Sequence, residues 1–353
     1  MEFPIISIKH VDSDFNTISK QIFKASQDWG FFIVTDHAID NASPSRMFTL
    51  SRQFFDLPMD IKRKHTLDIT AVGYDGHKAT TFTASEGMAF GLPAGQLLQS
   101  NNIHAWWDPA KLQEIEAFKA QCSALALQIL SCFAVNMGLE RDFFAASHAQ
   151  PVLPGNALKF MKYPKLTNQQ QQQLKQPDDT TTTPTVARLS EHTDWGTLTL
   201  LFTETPGLEV RDLNNNWHNV PVVPSGIVVN IGDALSLWTN KQLKSTPHRI
   251  SWEKVPADQE RYSMPYFVQP SFDTDLQPLT APAAETKAQQ PPPPPPLTYK
   301  DYYDVRIRMA WGSILDEDGK AKTDDAQLRV ARYLARMGFA PRTGLLLEDG
   351  LSV

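Results

Sequence analysis

Apolar residues recur at two periods along this chain, and the change of period divides it. Phe15, Ile18, Ile22, Phe23 and Ala25 fall at three- and four-residue spacing, which predicts an amphipathic helix over 14–28. Weak alternation over 3–8 predicts a short strand, and the apolar run 29–35 a buried one. Further helices are predicted over 44–55 and, restarted by Pro58, through Lys64. Leu112, Ile115, Phe118, Cys122, Leu125, Ile129, Cys132 and Phe133 repeat at helical spacing. They predict a long helix from Pro109 to about Met137, stopped by Gly138, with a short one over 140–146. Between these lies 71–102, punctuated by Gly73, Gly76, Gly87, Gly91 and Gly95; it is expected to be irregular and to line a site.

After Pro154 the period shortens to two. Strands are predicted over 157–163, 186–191, 196–203, 207–211, 216–219, 226–230, 234–238, 247–253 and 261–268, with Gly, Pro and Asn between them. Many short strands so punctuated predict a mainly β sandwich or jelly roll with flanking helices. Helices return over 299–311 and 324–337. The expected organisation is an α-rich region over 1–150 packed on the core, a β core over 151–285, and a spacer with C-terminal helices over 286–353. Gln169–Gln173 with Thr180–Thr183 reads as an exposed insertion, and Pro291–Pro296 as a polyproline II spacer.

Composition narrows the function. A formal charge of -6 over 353 residues, with no basic stripe, argues against a nucleic-acid partner. The two cysteines, Cys122 and Cys132, share one helical segment and fit a reducing compartment. The N-terminus lacks the pattern of a secretion signal. No run is expected to be long and apolar enough for a bilayer. A cytoplasmic protein with a small-molecule substrate, no membrane and no obligate protein partner is expected.

The candidate chemistry centres on His192-Thr193-Asp194. On a strand, positions two apart leave the same face. His248, several predicted strands later, could return to the same cavity. Two histidines and a carboxylate on one face form the facial set that holds iron(II) with open positions opposite. Arg261 and Ser263 share a face of the last strand and make a carboxylate clamp, with Tyr163 a further hydroxyl. This suits a dicarboxylate cosubstrate whose oxoacid end chelates iron and whose far carboxylate meets Arg261. Phe82, Phe90, Trp106, Met161 and Phe267 are candidate substrate walls, and Lys159 a candidate contact for an anionic group. Trp195 and Arg249 are expected to pack, Gly232-Asp233 to form a turn, and His104 and His218 to have no role.

Motifs along most of the chain resemble the 2-oxoglutarate/iron(II)-dependent dioxygenases, in the branch similar to isopenicillin N synthase. They are Phe3-Pro4-Ile5-Ile6-Ser7, Trp29-Gly30-Phe31-Phe32, Phe54-Phe55-Asp56-Leu57-Pro58, Gly73-Tyr74, Tyr163-Pro164, His192-Thr193-Asp194-Trp195-Gly196, Val229-Asn230-Ile231-Gly232-Asp233, Ser245-Thr246-Pro247-His248-Arg249 and Arg261-Tyr262-Ser263. The resemblance implies a distorted, cupin-like double-stranded β-helix, iron on His192, Asp194 and His248, and 2-oxoglutarate held by Arg261, Ser263 and Tyr163. It also implies dioxygen as oxidant and ascorbate as a candidate reductant. The activity implied is hydroxylation, desaturation or ring closure of a small organic molecule in natural-product metabolism, releasing succinate and carbon dioxide. Ser7 and Met161 stand where many relatives have aspartate and asparagine. These departures, the longer His248–Arg261 gap and the Gln, Thr and Pro tracts look more like a fungal member than a plant one. An iron oxidase that does not use 2-oxoglutarate, and a non-enzymatic metal or small-molecule binding module, are the competing readings.

Overall fold

Two β-sheets face one another, with helices laid on the outer face of the larger. The computed structural model describes residues 2–311 except 66, 69, 77–84, 101–102, 104, 150–152, 166, 169–186, 252–257 and 280–296, and beyond 311 only positions 330 and 334. The described strands are β1 (Ile5–Ser7), β2 (Phe31–Thr35), β3 (Val72–Gly76), β4 (Glu86–Phe90), β5 (Ala157–Tyr163), β6 (Ala187–His192), β7 (Leu198–Thr203), β8 (Leu208–Arg211), β9 (Trp217–Asn219), β10 (Ile227–Ile231), β11 (His248–Ser251) and β12 (Arg261–Val268). The described helices are α1 (Phe15–Asp28), α2 (Ala42–Phe55), α3 (Met59–Lys62), α4 (Pro109–Asn136), α5 (Phe143–Ala146), α6 (Asp233–Trp238) and α7 (Tyr299–Trp311). The larger sheet runs β1-β2-β10-β7-β12-β5-β4-β3 and the smaller β6-β11-β8-β9. This is the jelly roll that the alternation predicts.

Period-two patterning sorts the core. On β5, Leu158 and Phe160 face the helices, while Met161 and Tyr163 face the second sheet. On β12, Met264, Tyr266 and Val268 face the helices. Each such side chain, fully buried, contributes about 1.5–3 kcal/mol. The long α4 begins where Asp108 accepts from the Lys111 N–H at 3.0 Å, with Pro109 in its first turn. Gly138, at φ +73°, closes its far end.

Several expectations change. An 18-residue window of α4 is, by length and composition alone, apolar enough to cross a bilayer, and 56% of it is buried inside the fold. The sequence-based statement that no such run exists is therefore corrected. Within 71–102, which is not uniformly irregular, β3 and β4 pair antiparallel and extend the larger sheet; their glycines had masked the alternation. The stretch 234–238 is helix, not strand. Its apolar run is too short for periodicity to decide, and all six residues of α6 are buried. The Gln/Thr and polyproline tracts, and all of the 324–337 helix except Val330 and Leu334, lie outside the described residues.

One corner ties the helices to the site. Gly30 has φ +67°, and a Cβ there would lie 2.2 Å from the Lys244 carbonyl oxygen. Next to it, the Thr246 hydroxyl donates to the Trp29 carbonyl at 2.6 Å. The segment leading into His248 is thus pinned against the α1–β2 corner. Gly30→Ala is expected to cost roughly 2–5 kcal/mol, combining left-handed backbone strain with steric overlap. Urea unfolding checks this; an unchanged midpoint would mean that the Lys244 backbone yields.

Candidate active site and metal centre

Between the sheets lies a cavity of about 510 Å³. The inner positions of successive strands line it: Met161 and Tyr163 of β5, Thr199 of β7, Arg261, Ser263 and Phe267 of β12.

At one end His192, Asp194 and His248 offer ligand atoms that all lie within 4.8 Å of one another. β6 ends at His192, and Asp194 lies in the loop just beyond it, so the shared-strand argument gives way to a loop that brings Asp194 beside the two imidazoles. His248 pairs directly with His192 across β6 and β11. Nδ1 of His192 bonds the Ser190 carbonyl at 2.8 Å, and Nδ1 of His248 bonds the Thr246 carbonyl at 3.1 Å. Those bonds assign the proton to Nδ1 and leave both Nε2 lone pairs facing the centre. They sit 3.9 and 3.8 Å from Asp194 Oδ1. Asp194 Oδ2 accepts from the Thr199 hydroxyl at 2.6 Å and from the Asn230 amide at 2.8 Å, so Oδ1 is the oxygen that faces the imidazoles. Burial alone would raise its pKa; His248, His192 and the two hydrogen bonds outweigh that and hold the carboxyl below the usual range. Two imidazole nitrogens and one carboxylate oxygen, converging in this way, make a donor set suited to iron(II).

Arg261 is fully buried on β12, directly opposite Tyr163 of β5, whose ring centre lies 5.3 Å from the guanidinium carbon. Its Nε donates to the Pro206 carbonyl and its Nη2 to the Thr203 hydroxyl, each at 3.2 Å. Nη1 is buried without a hydrogen-bond partner among the described residues. A buried, unpaired guanidinium N–H is costly unless an anion completes it. Burial lowers the Arg261 pKa and raises that of Tyr163, which Arg261 and a bond to Ser263 oppose.

A second tier supports the ligands. Asp233, at the start of α6, is buried and accepts from the Thr193 hydroxyl at 2.9 Å and from the Ser245 hydroxyl at 2.6 Å. Its own N–H donates to the Asp194 carbonyl at 2.8 Å. Arg306 of α7 pairs with it at 2.9 Å. From the same helix the Tyr302 hydroxyl donates to the Trp195 carbonyl at 2.9 Å. The neighbouring face of α7 gives Tyr299, Tyr303 and Ile307 to the cavity wall.

The structure brings His192, Asp194, His248, Arg261, Ser263, Tyr163, Met161, Lys159 and Phe267 into this cavity. It does not bring Phe90 or Trp106. Register pairs Ala89 with Lys159 and Phe90 with Leu158, so Phe90 falls on the helical face, where it packs on Trp107 and Phe160. Trp106 packs on Phe54 on that side. Phe82 and His104 lie outside the described residues. Arg249 pairs with Glu209, and His218 with Asp212, away from the cavity. Sequence reasoning missed Thr199, Asn230, Asp233 and the α7 residues. Thr199 and Asn230 were reachable by alternation; the α7 contacts span too much sequence to be read.

A family model described as the 2OG-Fe(II) oxygenase superfamily matches residues 157–270, and one described as non-haem dioxygenase in morphine synthesis N-terminal matches 3–106. A proline hydroxylase from Petromyces alliaceus is 30% identical over 282 residues, covering 74% of this chain and 84% of that protein. A flavonol synthase/flavanone 3-hydroxylase from Matthiola incana is 26% identical over 311 residues, covering 87% and 98%. A full-length Neurospora crassa protein, crystallised in complex with alpha-KG and 5-formyluracil, has the same fold, with TM-score 0.72, 24% identity and coverage of 86% and 95%. The chain belongs to the 2OG-Fe(II) oxygenase superfamily and is a non-haem iron(II)/2-oxoglutarate-dependent dioxygenase.

Proposed function

We propose that His192, Asp194 and His248 hold the iron, that Arg261, Ser263 and Tyr163 hold the far carboxylate of 2-oxoglutarate, and that the enzyme oxidises a small, largely apolar molecule in natural-product metabolism in the cytoplasm. The observation that carries this reading is one cavity holding both a converging His-Asp-His donor set and a buried arginine N–H with no partner. The core over 151–285 carries the chemistry, 1–150 covers it, and α7, within 286–353, closes one wall.

Iron with 2-oxoglutarate and dioxygen supplies the oxidising chemistry when bound, the cosubstrate leaving as succinate and carbon dioxide. The chain's own residues do the rest. His192 and His248 present fixed lone pairs. Thr199 and Asn230 keep Asp194 from rotating. Arg261 supplies a charge-assisted bond to a carboxylate, with Ser263 and Tyr163 beside it. Phe267, Met161 and Leu201 line the space apolarly and restrict water. Asp233 holds the loop between His192 and Asp194 together with the arm before His248.

The iron-loaded protein is expected to consume 2-oxoglutarate and release succinate; no consumption with any substrate would return the oxidase reading. Arg261→Ala should raise the apparent KM for 2-oxoglutarate by about 30-fold or more, the equivalent of ~2 kcal/mol, with iron affinity retained. Thr193→Val should keep the fold and weaken iron affinity by about tenfold, measured anaerobically by titration. Arg306→Met, which strands a buried carboxylate, should cost roughly 3–5 kcal/mol of stability. Wild-type iron affinity in Thr193→Val would reduce Asp233 to a packing role.

A further inference from the structure

Away from the metal, the cavity wall holds one described ion pair. Lys159 Nζ of β5 lies 3.3 Å from Asp75 Oδ2 of β3, each side chain about a quarter exposed (23% and 25%), and both residues line the cavity. The intervening strand makes room for it. A Cβ on Gly87 of β4 would lie 2.4 Å from Lys159 Cε, so the lysine stem lies across the glycine to reach Asp75. Register puts Asp75 level with Gly87 and Met161, two strands from β5 on the side away from β12, which takes the pair across the sheet from a carboxylate held at Arg261. Around the pair the wall is mostly apolar, with Ala71, Ala89, Met161 and Phe267, and Asp68 adds a further carboxylate to the lining.

An ion pair at this depth contributes little net stability, because desolvation offsets the attraction. What it does provide is a fixed donor beside a fixed acceptor in a mostly apolar wall, the feature by which small-molecule sites orient a ligand. The two charges cancel. A lone anion is drawn to Lys159 and repelled by Asp75, and a lone cation the reverse. A ligand end that offers an acceptor to the ammonium and a donor to the carboxylate gains from both.

We propose that Lys159 and Asp75 form the polar anchor of the substrate subsite, selecting a small apolar molecule whose polar end carries an adjoining acceptor and donor, as in an amino-acid zwitterion or an amide edge. The assignment rests on the reading of this cavity as the oxygenase active site.

Calorimetry on the full chain, loaded anaerobically with manganese(II) and 2-oxoglutarate, tests it with two matched probe sets. One is L-proline, 2-pyrrolidinone, cyclopentanecarboxylate and pyrrolidine. The other is L-phenylalanine, 3-phenylpropanamide, 3-phenylpropanoate and 2-phenylethylamine. In at least one set the amino acid or the amide should bind about tenfold or more tightly than both single-handled analogues, and which of the two leads separates zwitterion from amide. Lys159→Met should erase that preference while 2-oxoglutarate still binds. Asp75→Asn, which leaves the lysine unbalanced, should shift the preference to the carboxylate analogue. Equal binding by the single-handled analogues, no binding by any two-handled probe, or a preference that survives Lys159→Met would overturn the assignment. Failure of 2-oxoglutarate to bind the wild type would remove the cosubstrate reading as well, whereas its binding without any such preference removes this assignment alone.

Discussion

Asp233 is the point through which the catalytic end of the molecule is held together. A single buried carboxylate accepts hydroxyls from Thr193 and Ser245 and a guanidinium from Arg306. Thr193 stands between two candidate iron ligands, and Ser245 begins the arm that delivers the third. Burial pushes the Asp233 pKa up; Arg306 and the two hydroxyls oppose it. A carboxylate so enclosed costs several kcal/mol in the absence of its partners, and that cost ties three distant segments to one geometry.

The cavity is a consequence of sheet alternation. In each central strand of the larger sheet one face meets α4 and its neighbours, and the other meets the second sheet. Side chains two apart on β5 and β12 therefore form rows that differ in chemistry from one end to the other. Tyr163, Arg261 and Ser263 make the candidate anion-binding end, Phe267 lies at the opposite end of the β12 row, and Lys159 with Asp75 makes a polar spot across the sheet, on the β4–β3 side. One scaffold can keep its metal and cosubstrate ends while the remaining inner positions vary, which is compatible with relatives named for proline and flavonoid chemistry.

α7 belongs to both functions. Tyr302 bonds the Trp195 carbonyl and Arg306 pairs with Asp233, both beside the candidate metal ligands, while Tyr299 and Tyr303 face the cavity. The Tyr299 hydroxyl also donates to Gln269 at 2.9 Å, fastening the helix to the end of β12. The cavity wall and the brace behind the candidate metal ligands are thus one helix.

Residue order was enough to set most element types, the jelly-roll class and the chemistry of the centre. Helical and strand periods are local properties, and β5, β12 and α7 have the bounds that alternation and helical spacing predict. His192, Asp194, His248, Arg261 and Ser263 were legible because the motifs that carry them are short and continuous. Which face of β4 enters the cavity was left to the packing of the whole chain, since a one-residue change of register exchanges Ala89 for Phe90. So were the placing of Asp194 in a loop outside the strand, the helical state of 234–238, and the reach of Arg306 to Asp233. Those outcomes depend on pairings between segments far apart in the chain, and no local period encodes them.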